Sequence, residues 1–466
     1  MKFSTKIKKI SLLSLVFLMT FNFSGCIFKD TTPTVKVDLE VWGVFDETVD
    51  YSDIFRAYRE TNPFVGDIRY RKFSTAEYKK ELIDALAAGS GPDVFMINNS
   101  WIAEFENKVS VAPDSVLAEK QFRENFVDAV AIDFLSAERK VLATPLSADS
   151  LALYYNKDIF NANGITSPPK DWDEFIDVAR KTTRINEFGD IVQSGAAMGS
   201  VNNINRSTDI INLLLFQNGV DMPTRENQMI NLTRTAQSDG SAVSSGSNAI
   251  DFYTRFANPS TPTYSWSIDE STHYSLDEFY EGDLAMMINF SWHYETIKSK
   301  NSKLNFAIAP VPQLNVNNPV NIANYWGFAV SKNKIIKNKL VSNETRVHEA
   351  WQFLKFLTTR NNGSFNIISP VTGAVKPFKV EIDPAKAYLE NTNKPAARRD
   401  LIEEQKSDPF LGSFAEGNLI AKSWIRMNPE LIEGVWASVI GDINRGNISV
   451  GQSVDVLRNR INRLLK

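Results

Sequence analysis

The chain has 466 residues, 43% of them hydrophobic, 23% charged and 11% aromatic, with 51 Lys and Arg against 55 Asp and Glu. Low-complexity disorder, collagen-like periodicity and a disulfide scaffold are excluded by those totals and by a single cysteine. Four of the basic residues, Lys2, Lys6, Lys8 and Lys9, fall in the first ten, so the rest of the chain carries a formal charge of −8 in place of −4. That charge argues against a nucleic-acid partner, whose phosphates require clustered Lys and Arg.

In chain order, a basic start to Lys9 and an apolar run from Ile10 to Phe23 read residues 1–25 as a secretory signal. The run is too short to span a bilayer. Cys26 follows the small pair Ser24-Gly25, and Phe23-Ser24-Gly25-Cys26 resembles a bacterial lipobox with Phe where Leu is usual. Cys26 is thus the expected lipidation site; a plain signal peptide with an incidental cysteine is the alternative. Residues 26–34 read as the lipidated Cys and a short tether, and the protein as exported and lipid-anchored to the outer face of the cytoplasmic membrane, on the periplasmic side where there are two membranes.

Beyond the tether, strands and helices alternate. Val35 to Val44 has a strand pattern, Asp53 to Arg59 a helical one, and Asp67 to Phe73 returns to strand. Ser74 with Glu77 reads as a capping box for a helix through Tyr78, Leu82 and Leu86 that stops at Gly89-Ser90-Gly91-Pro92. Asp93 to Ile97 and Leu151 to Tyr155 read as strands, Trp172 to Thr182 as a helix after Pro168-Pro169, and Arg184 to Gln193 as a turn around Asn186 and Gly189. A buried helix is expected over Asp209 to Phe216, a Ser/Gly-rich surface loop over Asp239 to Asn248, and helices over Val347 to Leu357, Pro429 to Ile443 and Val450 to Leu465. No solenoid repeat is present. The alternation predicts an α/β class with largely parallel sheets, ligands lying beyond the carboxyl ends of the strands, and the length predicts two domains.

An ordered set of short segments resembles the family 1 extracellular solute-binding proteins, the maltose-binding-protein-like receptors of ABC importers. It comprises Trp42, Gly91-Pro92-Asp93-Val94, Leu153 to Asp158, Pro168 to Phe175, Gly282 to Met286, Asn324 to Phe328, Ala350 to Leu354 and Pro395 to Asp400, and spans most of the chain. The resemblance implies a two-lobed periplasmic-binding-protein-like fold (type II) with a ligand cleft between lobes and several hinge crossings. One lobe is expected over residues 35–148 plus 310–395, the other over 149–309 plus 396–466. It also implies a monomeric receptor that hands a solute, a mono- to oligosaccharide, to ABC permease subunits, without cofactor.

A sugar has an apolar C–H face and a hydroxyl rim, so aromatic rings and short polar groups are the candidates. Trp42 and Asp46 leave the first strand where the family borders its ligand; a core ring is the alternative for Trp42. Asn98, Asn99, Ser100 and Trp101 leave a strand at its carboxyl end, Asn99 or Ser100 being equally readable as a helix cap. Asp149 stands at an expected crossing, with a hinge-turn residue as the alternative. Asn202 and Asn203 fall in a loop the family points at its ligand, or form an ordinary Asn-rich turn. Trp292, after an Ala-Met strand, is the foremost stacking candidate. Tyr325 and Trp326 are adjacent on a strand edge, so at most one faces the core. Trp172, Trp351 and Trp436 read as core, and Arg398 and Arg399 as solvated partners of acidic neighbours, with a ligand contact as the alternative.

An enzyme finds little support. His273, His293 and His348 are scattered, and neither a Gly-x-Ser-x-Gly elbow nor a phosphate loop is present. A lipid-anchored carbohydrate-active enzyme, which needs only two carboxylates, is the rival reading, followed by a non-transport envelope protein on the same fold.

Overall fold

Val37, Leu39 and Val41 alternate with Asp38 and Glu40, which gives β1 (Val37–Gly43) one buried face. A computed structural model describes residues 35–225, 227–232, 244–269 and 274–465. The expected signal, Cys26 and the tether lie outside the described residues, as do His273 and residues 239–243 of the expected loop. Ser245 to Asn248 of that loop are helical instead. They open the Ser245–Thr254 helix because the Ser244 side chain accepts from Ser247 N–H and caps it.

The following strands are β2 (Val65–Lys72), β3 (Val94–Asn98), β4 (Val109–Ser110) and β5 (Ala143–Pro145), then β6 (Ala152–Asn156), β7 (Arg184–Ile185), β8 (Ile191–Ala196), β9 (Leu284–Asn289), β10 (Phe306–Pro310), β11 (Asn321–Ile322) and β12 (Trp326–Ser331). One sheet runs β2-β1-β3-β12-β4 with β5 also beside β12, and a second runs β10-β6-β9-β8-β7. The expectation of largely parallel sheets is corrected. In the first sheet β1 is parallel to β2 and β3, but β12 is antiparallel to β3, β4 and β5. In the second only β8 and β9 are parallel. The physical reason is the route of the chain. β12 enters its sheet at the end where β3 leaves it, Trp326 opposite Asn98, so it runs against its neighbour without a helical crossover.

Helices follow the expected positions with longer limits: Thr48–Thr61, Thr75–Ala87, Ser207–Gln217 and Asn343–Thr358. Trp172–Thr182 starts at its N-cap Asp171, which accepts from Glu174 N–H at 2.9 Å. The turn over 184–193 is a hairpin, with Asn186 accepting from Phe188 and Asp190 and Gly189 at φ +90°. The expected capping box at Ser74 is a direct Ser74–Glu77 side-chain bond of 2.8 Å, without a side-chain bond to the helix backbone.

Two apolar clusters form the core. One gathers residues from Val37 to Ala148 and from Ala323 to Ile402, including Trp351. The other gathers residues from Leu151 to Ile322 together with Phe414 and residues from Trp424 to Leu465, including Trp172 and Trp436. The first cluster also takes Ala415 and Ala421, so the chain changes cluster between Ala148 and Leu151, between Ile322 and Ala323, between Ile402 and Phe414, back between Phe414 and Ala415, and finally between Ala421 and Trp424. Arg398 is buried rather than solvated, held by both carboxylate oxygens of Asp383 and by Asp400, while Arg399 pairs with Asp128 in the open.

Gly327 in β12 has no room for a side chain: an added Cβ would lie 2.5 Å from Cε2 of Phe134 and 3.3 Å from the Thr144 carbonyl. Gly327→Ala is expected to destabilise the first lobe by about 1–3 kcal/mol through overpacking, read as a lower urea midpoint at unchanged slope.

Candidate functional site

The geometry begins at the first crossing. β5 ends with Pro145 opposite Gly327 and β6 begins with Ala152 opposite Asn289, so one short segment links the ends of both sheets. Asp149 occupies it. Its carbonyl accepts from Asn324 N–H at 3.0 Å, and one carboxylate oxygen accepts from Ser291 N–H at 2.9 Å and Ser291 Oγ at 2.6 Å. The other accepts from Ser150 N–H at 2.9 Å. Asn324 lies two residues before Trp326 and Ser291 one before Trp292, so both aromatic candidates are set beside one crossing. Burial pushes the Asp149 carboxyl up to about 8, against the pull of the Ser291 and Ser150 donors.

On the first lobe, Trp326 is partly exposed and meets Phe45 edge-to-face at 5.3 Å and Trp101 at 4.9 Å. Phe45 is 46% exposed, large for an aromatic ring. Trp101 stacks on Phe105, and the Lys79 ammonium lies 4.9 Å from its ring centroid. Tyr325 turns inward, its hydroxyl donating to Asp133 at 2.7 Å. Asn99 is buried, donating to Asp133 at 3.0 Å and to Ser423 at 3.3 Å, and Ser423 donates to Asp133 at 2.7 Å. Burial raises the Asp133 carboxyl, opposed by these three donors. The short helix after β3 is capped by Asn98, which accepts from Ser100 N–H and Oγ, and not by Asn99 or Ser100.

Two candidates stand in the first core. Trp42 is 5% exposed, packs 4.5 Å from Phe73 and donates to Glu40. Asp46 is buried and accepts from Tyr51 at 2.5 Å, from Tyr388 at 3.0 Å and from Lys394. Its capacity is taken up in joining the Thr48–Thr61 and Pro384–Thr392 helices.

On the second lobe, Trp292 is 42% exposed and lies stacked on Phe290 at 4.6 Å and 18°. Its Nε1–H donates to His293 Nε2 at 2.9 Å. Burial and then Arg206 hold His293 down at about 4, so its ring is neutral and free to accept. The Arg206 guanidinium is 5.5 Å from the Trp292 ring centroid, at a residue whose φ of +63° is rare for a side-chain-bearing residue. Arg206 lines a cavity of about 420 Å³ with Asn202, Asn205, Tyr274 and Glu433. Asn203 points inward, accepting from Trp266 at 3.0 Å and donating to the Ser267 carbonyl.

Four charged groups that the sequence reading missed converge here. Asp209 interacts with Asn324 across the crossing and feels Arg206 and Arg426, while burial raises its carboxyl. Enclosure by the chain and then Asp209 raise Glu433. Arg426 is 5% exposed, 5.3 Å from the Trp424 ring centroid, and its Nε, like that of Arg206, has no partner. No spacing signal joins positions 206 and 426. Phe45 was within reach, being beside Asp46 in the loop leaving β1. The site thus offers aromatic faces on both lobes, guanidinium donors with spare hydrogens, and carboxylate acceptors. Among the described residues no group of three or more His, Cys, Asp or Glu is placed to hold a metal ion.

The family model described as bacterial extracellular solute-binding protein matches residues 54–363. The chain is similar to the maltotriose-binding protein of Pyrococcus abyssi, 21% identical over 77% of this chain and 66% of that protein. It is also similar to binding proteins of Brucella abortus, 26% identical over 127 residues, which is 27% of this chain and 30% of theirs. Among solved structures it is similar to the cyclic alpha-maltosyl-1,6-maltose binding protein of Arthrobacter globiformis, with a TM-score of 0.71, 17% identity, and 92% of this chain against 99% of that one. The sugar-binding protein MalE of Xanthomonas citri gives 0.69 at 15% identity, covering 92% and 97%. These two-lobed structures share the fold.

The Asp149 geometry generates a pH prediction. The folded chain keeps a proton to about 8 that the unfolded carboxyl releases near its ordinary value of about 3.9, so this group's contribution to stability is fully present below that value and is lost as pH rises through about 8. Glu349, raised by burial to about 7, acts with the same sign. The melting temperature is expected to fall between pH 5 and 9, and Asp149→Asn and Glu349→Gln each to flatten that decline in a thermal-shift series. Unchanged slopes in both variants would overturn it.

Proposed function

Because the chain belongs to the bacterial extracellular solute-binding protein family, we propose that it captures a carbohydrate, from mono- to oligosaccharide, in the cleft between its lobes and delivers it to ABC permease subunits. The observation that carries this reading is the open Trp292 ring, backed by Phe290 and set at the same crossing as Trp326 and Phe45. Flat rings left open to solvent, Trp292 on one lobe and Phe45 on the other, suit the C–H faces of sugar rings. Arg206 and Arg426 donate to ligand oxygens while Asp209 and Glu433 accept from hydroxyls, a mixed set suited to a polyhydroxy solute. The maltotriose and maltosyl-maltose named for two relatives lean the same way.

The lobes meet at crossings near residue 149, near residue 322 and over residues 402–424. Ligand touching both walls favours the closed arrangement by its differential affinity, with no covalent chemistry and no cofactor. The chain acts as a monomer held by a lipid on Cys26.

The test is a thermal-shift and tryptophan-fluorescence screen of sugars, polyols, amino acids and polyamines. A ligand at a hundred times its Kd adds about 2.7 kcal/mol of stability. Trp292→Ala and Trp326→Ala are each expected to weaken a sugar so identified by tenfold or more, about 1.4 kcal/mol, while Trp292→Phe retains most of the affinity. Unchanged binding in both alanine variants rejects the reading.

A further inference from the structure

Among the described residues, two ion pairs join the lobes across the cleft. Lys79, on the Thr75–Ala87 helix of the first lobe, reaches Glu104 of its own lobe at 2.9 Å and Glu430 at 3.0 Å. Glu430 stands in the first turn of the Pro429–Asn444 helix, which is rooted in the second core through Ile432 and Trp436. The second pair is Arg225. It sits in a segment closed by a bridge between Asp221 and Asn231 and held to the second core by Val220, Met222 and Ile230. From there the guanidinium crosses to Glu106 at 2.5 Å and to the Asp133 carbonyl at 3.2 Å, both on the first lobe beside Phe105 and Phe134.

We infer that Lys79 and Arg225 form a two-point clasp that sets the ratio of closed to open lobes independently of which solute fills the cleft. The two points are unequal. When the lobes part, Lys79 keeps Glu104 and only Glu430 passes to water. Arg225, whose side chain is 16% exposed, loses both of its acceptors, two charge-assisted bonds against the one that Lys79 gives up, and water on the freed guanidinium offsets part of that loss. The Arg225 point therefore carries most of the closing bias, and the Lys79 point trims it. Trp101 belongs to the clasp, since the Lys79 ammonium covers its ring while Glu430 lies against its indole. A ligand has only to supply the remainder of the free energy of closure, so the clasp tunes affinity without touching the ligand.

The test needs no ligand, so its failure leaves the carbohydrate reading standing and is distinguishable from failure of that reading. The full chain carrying Cys26→Ser, Lys120→Cys and Asp455→Cys is labelled with a donor and an acceptor dye, one on each lobe. Single-molecule energy transfer is recorded at about 0.05 M and about 1 M salt, between which the screening length drops to about 3 Å. High salt is expected to enlarge the low-transfer, open population. Glu430→Gln should reduce the closed-to-open ratio about two- to fivefold, the range of a partly exposed pair. Arg225→Met should reduce it further. Arg225→Glu should open the lobes, and combining it with Glu106→Arg should restore the closed population, which a loss of folding would not do. Distributions unchanged by salt, by Glu430→Gln and by Arg225→Met, or a charge swap that fails to recover closure while circular dichroism shows a folded chain, overturn the clasp.

Discussion

Asp149 is held from three directions at the point where the chain first leaves one core for the other. Its carboxylate gathers Ser150 and Ser291, and its carbonyl holds Asn324 of the second crossing. A buried carboxyl is stable only when its lone pairs are filled, so this one residue fixes the end of β9, the start of β6 and the approach to β12 relative to one another. The aromatic walls inherit their positions from that arrangement. Trp292 and Trp326 are placed by the residues beside them, and each lobe's core then decides how far each ring can turn away from solvent.

The polar groups near the crossing divide into two kinds. Asn99, Tyr325 and Ser423 close on Asp133; Asn203 closes on Trp266 and Ser267; Asp46 closes on Tyr51, Tyr388 and Lys394. Their hydrogen-bonding capacity is absorbed in holding the walls rigid, which is what preorganises a binding surface. Arg206 and Arg426 differ in having donors left over. Leaving a buried guanidinium Nε–H unfilled is unfavourable, so these two side chains are held in place by the packing around them and not by their hydrogen bonds. A Trp open to solvent beside such donors joins an apolar face to a polar rim.

Closure adds a second level. Away from the crossings, Lys79–Glu430 and Arg225–Glu106 join the lobes as ion pairs, whereas each lobe's own core is apolar and buried. Contacts of that strength leave the lobes able to part, because a partly exposed pair contributes at most about 1 kcal/mol and weakens with salt. A large apolar interface would hold them shut.

What the sequence determined by itself was local. The alternation of Val37, Leu39 and Val41, the helix that starts at Trp172 after Pro168-Pro169, the turn at Asn186 and Gly189, and the core positions of Trp172, Trp351 and Trp436 all depend on neighbours a few residues away, and pattern and propensity report those. The order of its motifs also carried the family and with it the two-lobed fold. What only the tertiary structure decided is where distant segments meet. The antiparallel entry of β12 follows from the chain's return through the hinge, and no local period records it. Whether Trp42 or Trp292 faces solvent depends on Phe73 in one case and Phe290 in the other, although one lies in the last two residues of a strand and the other within three residues of a strand's end. Arg206 and Arg426, like Lys79 and Glu430, are far apart in sequence and carry no spacing signal. Their meeting is fixed by packing of helices onto two separate cores, a long-range constraint that a single sequence read along its length does not contain.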